Sequence, residues 1–254
     1  MIIDCDTHIS PIREGGIGIT GDELIGRMDK AGVDKAFTWP YYPYERQRLP
    51  EYCRFVYESA KAHPDRLLGF GWIDPSQGMD KAVALTRTCM EEYGLYGVKL
   101  NGSQNLFRYD DMKTVAPIVD VVAKAGGVVT LHTGADCPSR VHPYYVATLA
   151  KHYPETTFML VHMGGVTFPD LSDCAIEAAQ QAPNVQLIGS HIGAISVLKA
   201  VNALGADRVC FGSDAPFNLM HVELAAYKAL LDEQSPGDRD KVLGANAARI
   251  LNII

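Results

Sequence analysis

Several common functional signals are missing from this sequence of 254 residues. It contains six cysteines but no C-x-x-C pair, which excludes a zinc ribbon and favours reduced thiols that fill the core. Lysine and arginine form no cluster, and the formal net charge is −7. Because nucleic acids and anionic membrane surfaces bind basic patches, neither is expected as a partner.

Membrane and nucleotide-binding signals are also missing. No apolar run approaches the roughly 20 residues that a membrane span needs. The first residues include neither a basic region nor an apolar stretch of signal-peptide type, so a cytoplasmic protein is expected. No strand candidate is followed by G-x-G-x-x-G or G-x-x-x-x-G-K-[ST], which removes the usual reason to expect an open doubly wound sheet.

Short apolar runs rich in β-branched residues alternate with longer amphipathic runs along the chain. One amphipathic run has Thr20 and Glu23 at capping-box spacing and Gly32 as its stop signal. Eight strands alternating with helices over about 250 residues predict an α/β fold, a (β/α)₈ TIM barrel, as a single domain over 1–254. The predicted strands are Ile2–His8, Asp34–Trp39, Leu67–Asp74, Gly97–Asn101, Val128–Thr133, Thr157–His162, Val185–Ser190 and Val209–Asp214.

Charged and imidazole side chains occur where four of these strands end. His8, with Asp6 on the same strand face, ends the first strand, and His132, His162 and Asp214 end the fifth, sixth and eighth. Any one of them could be a structural residue, for example a hydrogen-bonded histidine or a turn-capping aspartate. Because barrel strands converge at their carboxyl ends, the set together predicts a divalent-metal site there.

The order of these motifs resembles that of the amidohydrolase superfamily, in particular the amidohydrolase-related branch that contains aminocarboxymuconate-semialdehyde decarboxylase. The resemblance implies one metal ion between a His-x-His on strand one, a His on strand five and an Asp on strand eight. By motif, His8, His132 and Asp214 are then ligands, and His162 is a catalytic neighbour. The matching segments are IDCDTH, GVKLN, TLHTG, LAKHYPETTFMLVHMGG, GADRVCFGSDAPF and GANAARIL.

The sequence departs from this pattern at the first ligand, where Asp6 replaces the family's histidine. A carboxylate can bind the same metal at a similar bond length, and decarboxylating members of the family carry an acidic residue there. Zn²⁺ is the expected ion, and the harder ligand set makes Mn²⁺ or Mg²⁺ the alternatives. Asp4, earlier on the same strand, is expected to orient a ligand by a hydrogen bond.

Three further polar residues, one on a strand and two just after strands, are candidates for substrate binding. Lys99 lies in GVKLN, where some amidohydrolases carry a carboxylated lysine, but a substrate contact or an ion pair is expected here. Arg140 and His191 follow strands five and seven, and an arginine in such a loop suits an anionic substrate. Ordinary surface solvation would explain both equally well.

The leading hypothesis is a metal-dependent hydrolase that cleaves an ester, lactone or amide of a small molecule with metal-activated water. In it, Asp214 binds the metal and takes the proton of the water, and His162 stabilises the oxyanion. The alternative is a metal-dependent decarboxylase of a cyclic or unsaturated acid, which Asp6 favours and the short chain disfavours. A metal-free barrel that binds a ligand is the third hypothesis, and a homodimer is expected.

Overall fold

Eight parallel strands form one continuous sheet, and each strand pairs with the next one along the chain. The computed structural model describes residues 1–166 and 169–253. The strands are β1 (Ile3–Ile9), β2 (Lys35–Pro40), β3 (Leu67–Ile73), β4 (Gly97–Leu100), β5 (Val128–His132), β6 (Phe158–Val161), β7 (Val185–Ile188) and β8 (Val209–Cys210).

The chain that follows β8 returns to β1, so that the sheet becomes a nearly closed barrel. The backbone N–H of Cys5 donates to the carbonyl of Phe211 at 2.9 Å, and that of His8 donates to the carbonyl of Ala215 at 2.7 Å. With helices between the strands, this is the (β/α)₈ barrel that the sequence predicted. The carboxyl ends of all strands lie at one end of the barrel, where residues distant in sequence can meet.

Helices connect the strands around the outside of the barrel. The predicted capping box is present: the Thr20 side chain accepts from the Glu23 N–H at 3.3 Å, and the Glu23 carboxylate accepts from the Thr20 N–H at 2.9 Å. Gly32 ends that helix with φ of 73°. The α-helices are α1 (Gly21–Ala31), α2 (Leu49–Ala62), α3 (Met79–Arg87), α4 (Gly102–Asn105), α5 (Met112–Lys124), α6 (Pro138–Val141), α7 (Pro143–His152), α8 (Ser172–Gln181), α9 (Ala194–Leu204), α10 (Met220–Leu230), α11 (Pro236–Asp240) and α12 (Asn246–Leu251).

Six strands end earlier than the sequence predicted: β3, β4 and β5 by one residue each, and β6, β7 and β8 by one, two and four residues. β6 stops at Val161, β7 at Ile188 and β8 at Cys210, whereas the apolar patterns extend to His162, Ser190 and Asp214. Beyond these three strand ends, His162, His191 and Asp214 adopt positive φ values of 67°, 50° and 58°. A left-handed residue cannot continue a β-ladder, so the polar residues lie just beyond the strands and not on them.

Aromatic side chains connect the apolar core to these polar residues. Phe37 and Phe70 stack with ring centroids 4.9 Å apart, and Trp39 packs edge-on against Phe70 at 5.9 Å. Trp39 also packs edge-on against His8 at 5.7 Å. All of these rings are buried, so His8 is held in a rigid, largely dry environment.

Within residues 1–166 and 169–253, no helix combines the length and the apolar character that crossing a membrane requires. The single domain over 1–254, the homodimer and the cytoplasmic location stay predictions.

Candidate metal centre

Asp6, His8 and Asp214 meet at the carboxyl end of the barrel. Asp6 and His8 lie on β1, and Asp214 follows β8. The Nε2 atom of His8 is 3.6 Å from Oδ1 of Asp6 and 3.4 Å from Oδ1 of Asp214. All three residues are buried, and their potential ligand atoms lie within 4.8 Å of one another. Residues from the two ends of the sequence thus form one candidate metal cluster, as the strand-end pattern predicted.

The chemistry of this cluster fits a divalent cation. Oδ1 of Asp6 is buried and, among the described residues, has no hydrogen-bond partner. Burial raises the pKa of the Asp6 carboxyl group, and the positive charge of Lys99 opposes that rise. A buried carboxylate oxygen without a partner is unfavourable unless a cation binds it. Two carboxylates and an imidazole are the donor set that Zn²⁺ or Mn²⁺ accepts.

The orientation of His8 suits a metal ligand. Its Nδ1 atom lies 3.3 Å from the carbonyl oxygen of Pro40, which can only accept a hydrogen bond. We therefore assign the proton of the neutral ring to Nδ1, which leaves the lone pair on Nε2. That lone pair is on the atom that faces Asp6 and Asp214.

Asp214 carries a negative charge over the whole physiological pH range. Burial alone would raise its pKa, but the hydrogen bond from His191 holds the pKa well below its usual range. Nδ1 of His191 lies 2.8 Å from Oδ2 of Asp214. The same contact raises the pKa of His191, which is only half-buried. His191 thus donates a hydrogen bond to a candidate metal ligand, and it also lines the cavity described below.

Ser190 joins Asp6 to His162, and sequence reasoning did not single it out. Its hydroxyl donates to Oδ2 of Asp6, and its Oγ atom lies 3.0 Å from Nδ1 of His162. The residue is fully buried. A signal was available: Ser190 is the last residue of the predicted seventh strand, where the strand-end rule that singled out His162 also applies.

His162 is buried beside the cluster in a neutral form. Its Nδ1 atom faces the Ser190 carbonyl at 3.3 Å as well as the Ser190 hydroxyl oxygen. Both act as acceptors here, so we assign the ring proton to Nδ1 and the lone pair to Nε2. Burial lowers the pKa of His162 well below its ordinary value. A protonated His162 would therefore be a strong proton donor.

His132 lies next to this group but has another partner. Its ring centroid is 4.9 Å from that of His162, and its Nε2 atom lies 3.1 Å from Oδ1 of Asp136. Burial would raise the pKa of Asp136, but the contact with His132 holds it well below its usual range. Within the described residues, the cluster with mutually close ligand atoms comprises Asp6, His8 and Asp214. The expected ligand role of His132 stays a prediction.

Lys99 places an ammonium group in the same buried region. Its Nζ atom lies 4.0 Å from Oδ1 of Asp6 and 4.0 Å from the ring centroid of Trp39. Burial lowers the pKa of Lys99 to about 8, although Asp6 and Asp214 oppose this shift. A carboxylate and an indole face, which both attract cations, stabilise the buried charge.

Asp4 supports the strand and lies apart from the cluster. Its Oδ1 atom accepts from the N–H of Asp6 at 3.1 Å and from the N–H of Ser213 at 2.9 Å. Burial raises its pKa to about 7. The pairing of β1 with β2 shifts register between Asp4 and Thr7, where this side chain folds back onto its own strand. Asp4 thus contacts the backbone of Asp6 and not its carboxylate, and its expected role in orienting a ligand stays a prediction.

A cavity of about 320 Å³ opens above the cluster. Lys99, His132, His162 and His191 line it. Arg140 does not: it borders a separate depression with Leu106 and Ser139, because the chain has already entered α6. The other lining residues are mostly aromatic or amide side chains: His8, Tyr41, Tyr42, Tyr44, Trp72, Asn101, Gln104, Val166, Asp214 and Phe217.

Comparison with known proteins identifies a family and similar proteins. A family model described as "Amidohydrolase" matches residues 3–253. A 2-amino-3-carboxymuconate-6-semialdehyde decarboxylase from Dictyostelium discoideum is 24% identical over an alignment of 250 residues, gaps included. The match covers 83% of this chain and 68% of the relative.

Solved structures share the fold. The 2,6-dihydroxybenzoate decarboxylase from Rhizobium superposes with a TM-score of 0.76 at 18% identity, covering 99% of this chain and 98% of that one. A dihydroxybenzoic acid decarboxylase from Polaromonas sp. JS666, solved with bound manganese and 2-nitroresorcinol, superposes with a TM-score of 0.75 at 19% identity. That match covers 99% of this chain and 96% of the other.

Proposed function

This chain belongs to the amidohydrolase family, and from that membership we propose that it is a metal-dependent decarboxylase of a small aromatic carboxylic acid. The family is the one that the sequence motifs resembled. Hydrolysis was the leading hypothesis from sequence, with decarboxylation as its alternative. The similar proteins described above are decarboxylases, so they support the alternative over hydrolysis.

The observation that carries this proposal is the charge of the cavity. The two negative charges of Asp6 and Asp214 together balance a divalent cation. The ammonium group of Lys99, 4.0 Å from Asp6, then leaves the loaded cluster with one positive charge in excess. A loaded site of this kind has an excess of positive charge and attracts an anion. A substrate carboxylate supplies the missing negative charge, whereas a neutral ester or lactone does not.

The walls of the cavity suit a planar ring. Tyr41 and Phe217 stack with centroids 5.3 Å apart, and Tyr42 and Trp72 lie 5.3 Å apart. The hydroxyl of Tyr42 donates to Asp74 at 2.5 Å, which fixes that wall. Aromatic faces and edges bind rings at such distances, and a volume of about 320 Å³ accommodates a benzoic acid with a few substituents.

We propose that Asp6, His8 and Asp214 hold the metal ion, with His132 beside them. The Polaromonas decarboxylase was solved with manganese, and two carboxylates favour Mn²⁺ more than a set of histidines would. Mn²⁺ is therefore our choice over the Zn²⁺ expected from sequence. When bound, the ion supplies positive charge that anchors the substrate oxygens and stabilises negative charge during the reaction.

The reaction needs a proton at the ring carbon that carries the carboxylate. When that carbon is protonated, the electron pair of its bond to the carboxylate returns to the ring and carbon dioxide leaves. We assign proton delivery to Nε2 of His162, since Ser190 engages Nδ1. The neutral ring first takes a proton from solvent at Nε2, and its lowered pKa then makes the imidazolium a strong acid toward the ring carbon. Solvent then reprotonates the imidazole. Lys99 holds the substrate anion, and Asp4 keeps β1 in place.

The test compares acids with their own esters. Purified protein reconstituted with Mn²⁺ is incubated with a panel of hydroxybenzoic acids and with the corresponding methyl esters. We expect carbon dioxide and the decarboxylated phenol from at least one acid, and no such product from His162→Ala. Hydrolysis of the esters with no carbon dioxide from any acid contradicts the proposal.

A further inference from the structure

Two neighbouring residues after β7 each engage one carboxylate of the candidate metal cluster. Ser190 donates to Oδ2 of Asp6, and His191 donates from Nδ1 to Oδ2 of Asp214 at 2.8 Å. The two remaining oxygens, both Oδ1, face Nε2 of His8 at 3.6 and 3.4 Å. The Ser190–His191 dipeptide thus binds the Oδ2 atom of both carboxylates and leaves both Oδ1 atoms directed at Nε2 of His8.

We propose that the Ser190–His191 dipeptide holds Asp6 and Asp214 as single-oxygen metal ligands. The inference rests on the metal site of the proposed function and assigns these two residues as positioning residues. A hydrogen bond to an ionised carboxylate is strong, and it both fixes the rotation of the group and occupies the lone pairs of the second oxygen. Partners of this kind orient metal ligands in many proteins.

The backbone explains how adjacent residues can reach different carboxylates. In an extended strand successive side chains point to opposite faces, so Ser190 and His191 could not both face the cluster. β7 ends at Ile188, and His191 adopts a left-handed conformation with φ of 50°. The N–H of Val166 donates to the His191 carbonyl at 3.1 Å, which anchors this turn. A left-handed conformation at a non-glycine residue such as His191 costs free energy. Backbone strain of this kind, held in place by the surrounding structure, is typical of functional sites.

The dipeptide also bears on substrate binding. Mn²⁺ prefers about six ligand atoms. If Asp6 and Asp214 each bind through one oxygen, they and His8 occupy three of those positions. His132 can take a fourth, and a substrate with two oxygens can take the rest. If both carboxylates bound through both oxygens, the site would be almost full. Single-oxygen binding therefore keeps the site open to an acid.

The experiment measures metal affinity and carboxylate binding mode without an activity assay. Variants Ser190→Ala, His191→Ala and His191→Asn are stripped of metal, and their Mn²⁺ dissociation constants are measured by competition with a chelating dye. The asparagine amide can replace the Nδ1 donor of His191. Ser172→Ala is the matched control, since Ser172 is a buried serine whose hydroxyl donates to Asp170 at 2.6 Å and to neither Asp6 nor Asp214. Infrared spectra of ¹³C-aspartate-labelled, Mn²⁺-loaded protein distinguish one-oxygen from two-oxygen carboxylate binding.

We expect Ser190→Ala and His191→Ala to bind Mn²⁺ about 10–100-fold more weakly than the wild type. His191→Asn and Ser172→Ala should stay near the wild type, and the infrared spectra of the alanine variants should shift toward two-oxygen binding. Wild-type affinity and an unchanged spectrum in His191→Ala would overturn the inference, even if Ser190→Ala failed to fold. A wild type that binds no divalent metal overturns the proposed function as well, so the two failures are distinguishable.

Discussion

The indole N–H of Trp39 donates a hydrogen bond to Nε2 of His8 at 3.0 Å. Nδ1 of the same ring faces the Pro40 carbonyl, so Nε2 carries the only lone pair of the ring. A metal ion bound by His8 would need that lone pair. Trp39 and a metal ion therefore compete for one atom.

Trp39→Phe should tighten metal binding, because it removes the competing donor and keeps an aromatic ring against Lys99. A hydrogen bond of this kind contributes about 0.5–1.5 kcal/mol, so the Mn²⁺ dissociation constant should fall by up to about tenfold. Competition titration of both proteins measures the change. Weaker Mn²⁺ binding by the variant, in protein whose circular dichroism matches that of the wild type, would mean that Trp39 supports His8 as a ligand.

His162→Ala and His132→Ala should differ in metal content. His162 is assigned to proton delivery, so His162→Ala should lose most turnover and keep its metal. His132→Ala should lose activity and metal together, because in the loaded protein we expect the His132 imidazole to leave Asp136 and bind the ion. Metal analysis of both variants after dialysis against a fixed low concentration of Mn²⁺ checks this. Equal loss of metal by both variants would refute the division of roles.

Lys99 should make the stability of the metal-free protein depend on pH. In the folded protein its pKa is about 8, compared with 10.5 when it is exposed. Between these values the unfolded chain binds more protons than the folded one, so stability rises with pH. The free energy of unfolding of the wild type should gain up to about 3 kcal/mol over that range relative to Lys99→Met. Urea titrations of both proteins measure this, and parallel pH profiles would contradict it.

Removal of metal should lower the melting temperature. An ion present at 100 times its dissociation constant stabilises the folded state by about 2.7 kcal/mol, or roughly 5–10 °C for a chain of this length. Asp6→Ala is the control, because without that carboxylate it should bind metal weakly and show little response to a chelator. An unchanged melting temperature and activity in chelated wild type would favour a ligand-binding barrel without a metal.

The sequence predicted the barrel well because its signals are local. Apolar runs mark β1–β8, and the capping box of Thr20 and Glu23 marks the first helix. Strand ends were less well predicted, since His162 and Asp214 leave the ladder through positive φ values, which a hydrophobic pattern does not reveal. The convergence of His8 and Asp214 followed from barrel geometry alone.

The partners of the site residues could not be predicted in the same way. His132 contacts Asp136, a loop residue whose direction depends on tertiary packing. Ser190 contacts Asp6 across a sequence separation of 184 residues, and no spacing rule links them. Arg140 lies away from the cavity because a short helix intervenes, which the sequence pattern left open. Residue types at strand ends are local information, whereas hydrogen-bond partners are not.

The adjacency of Ser190 and His191 limits how the loop after β7 can be engineered. Both carboxylates of the candidate cluster depend on consecutive backbone positions, so inserting or deleting a single residue there would displace two contacts at once. The loop after β4, by contrast, contributes Asn101 and Gln104 to the cavity wall and neither contact to those carboxylates. Libraries that vary loop length to change substrate range should therefore begin after β4 and keep the β7 loop at its present length.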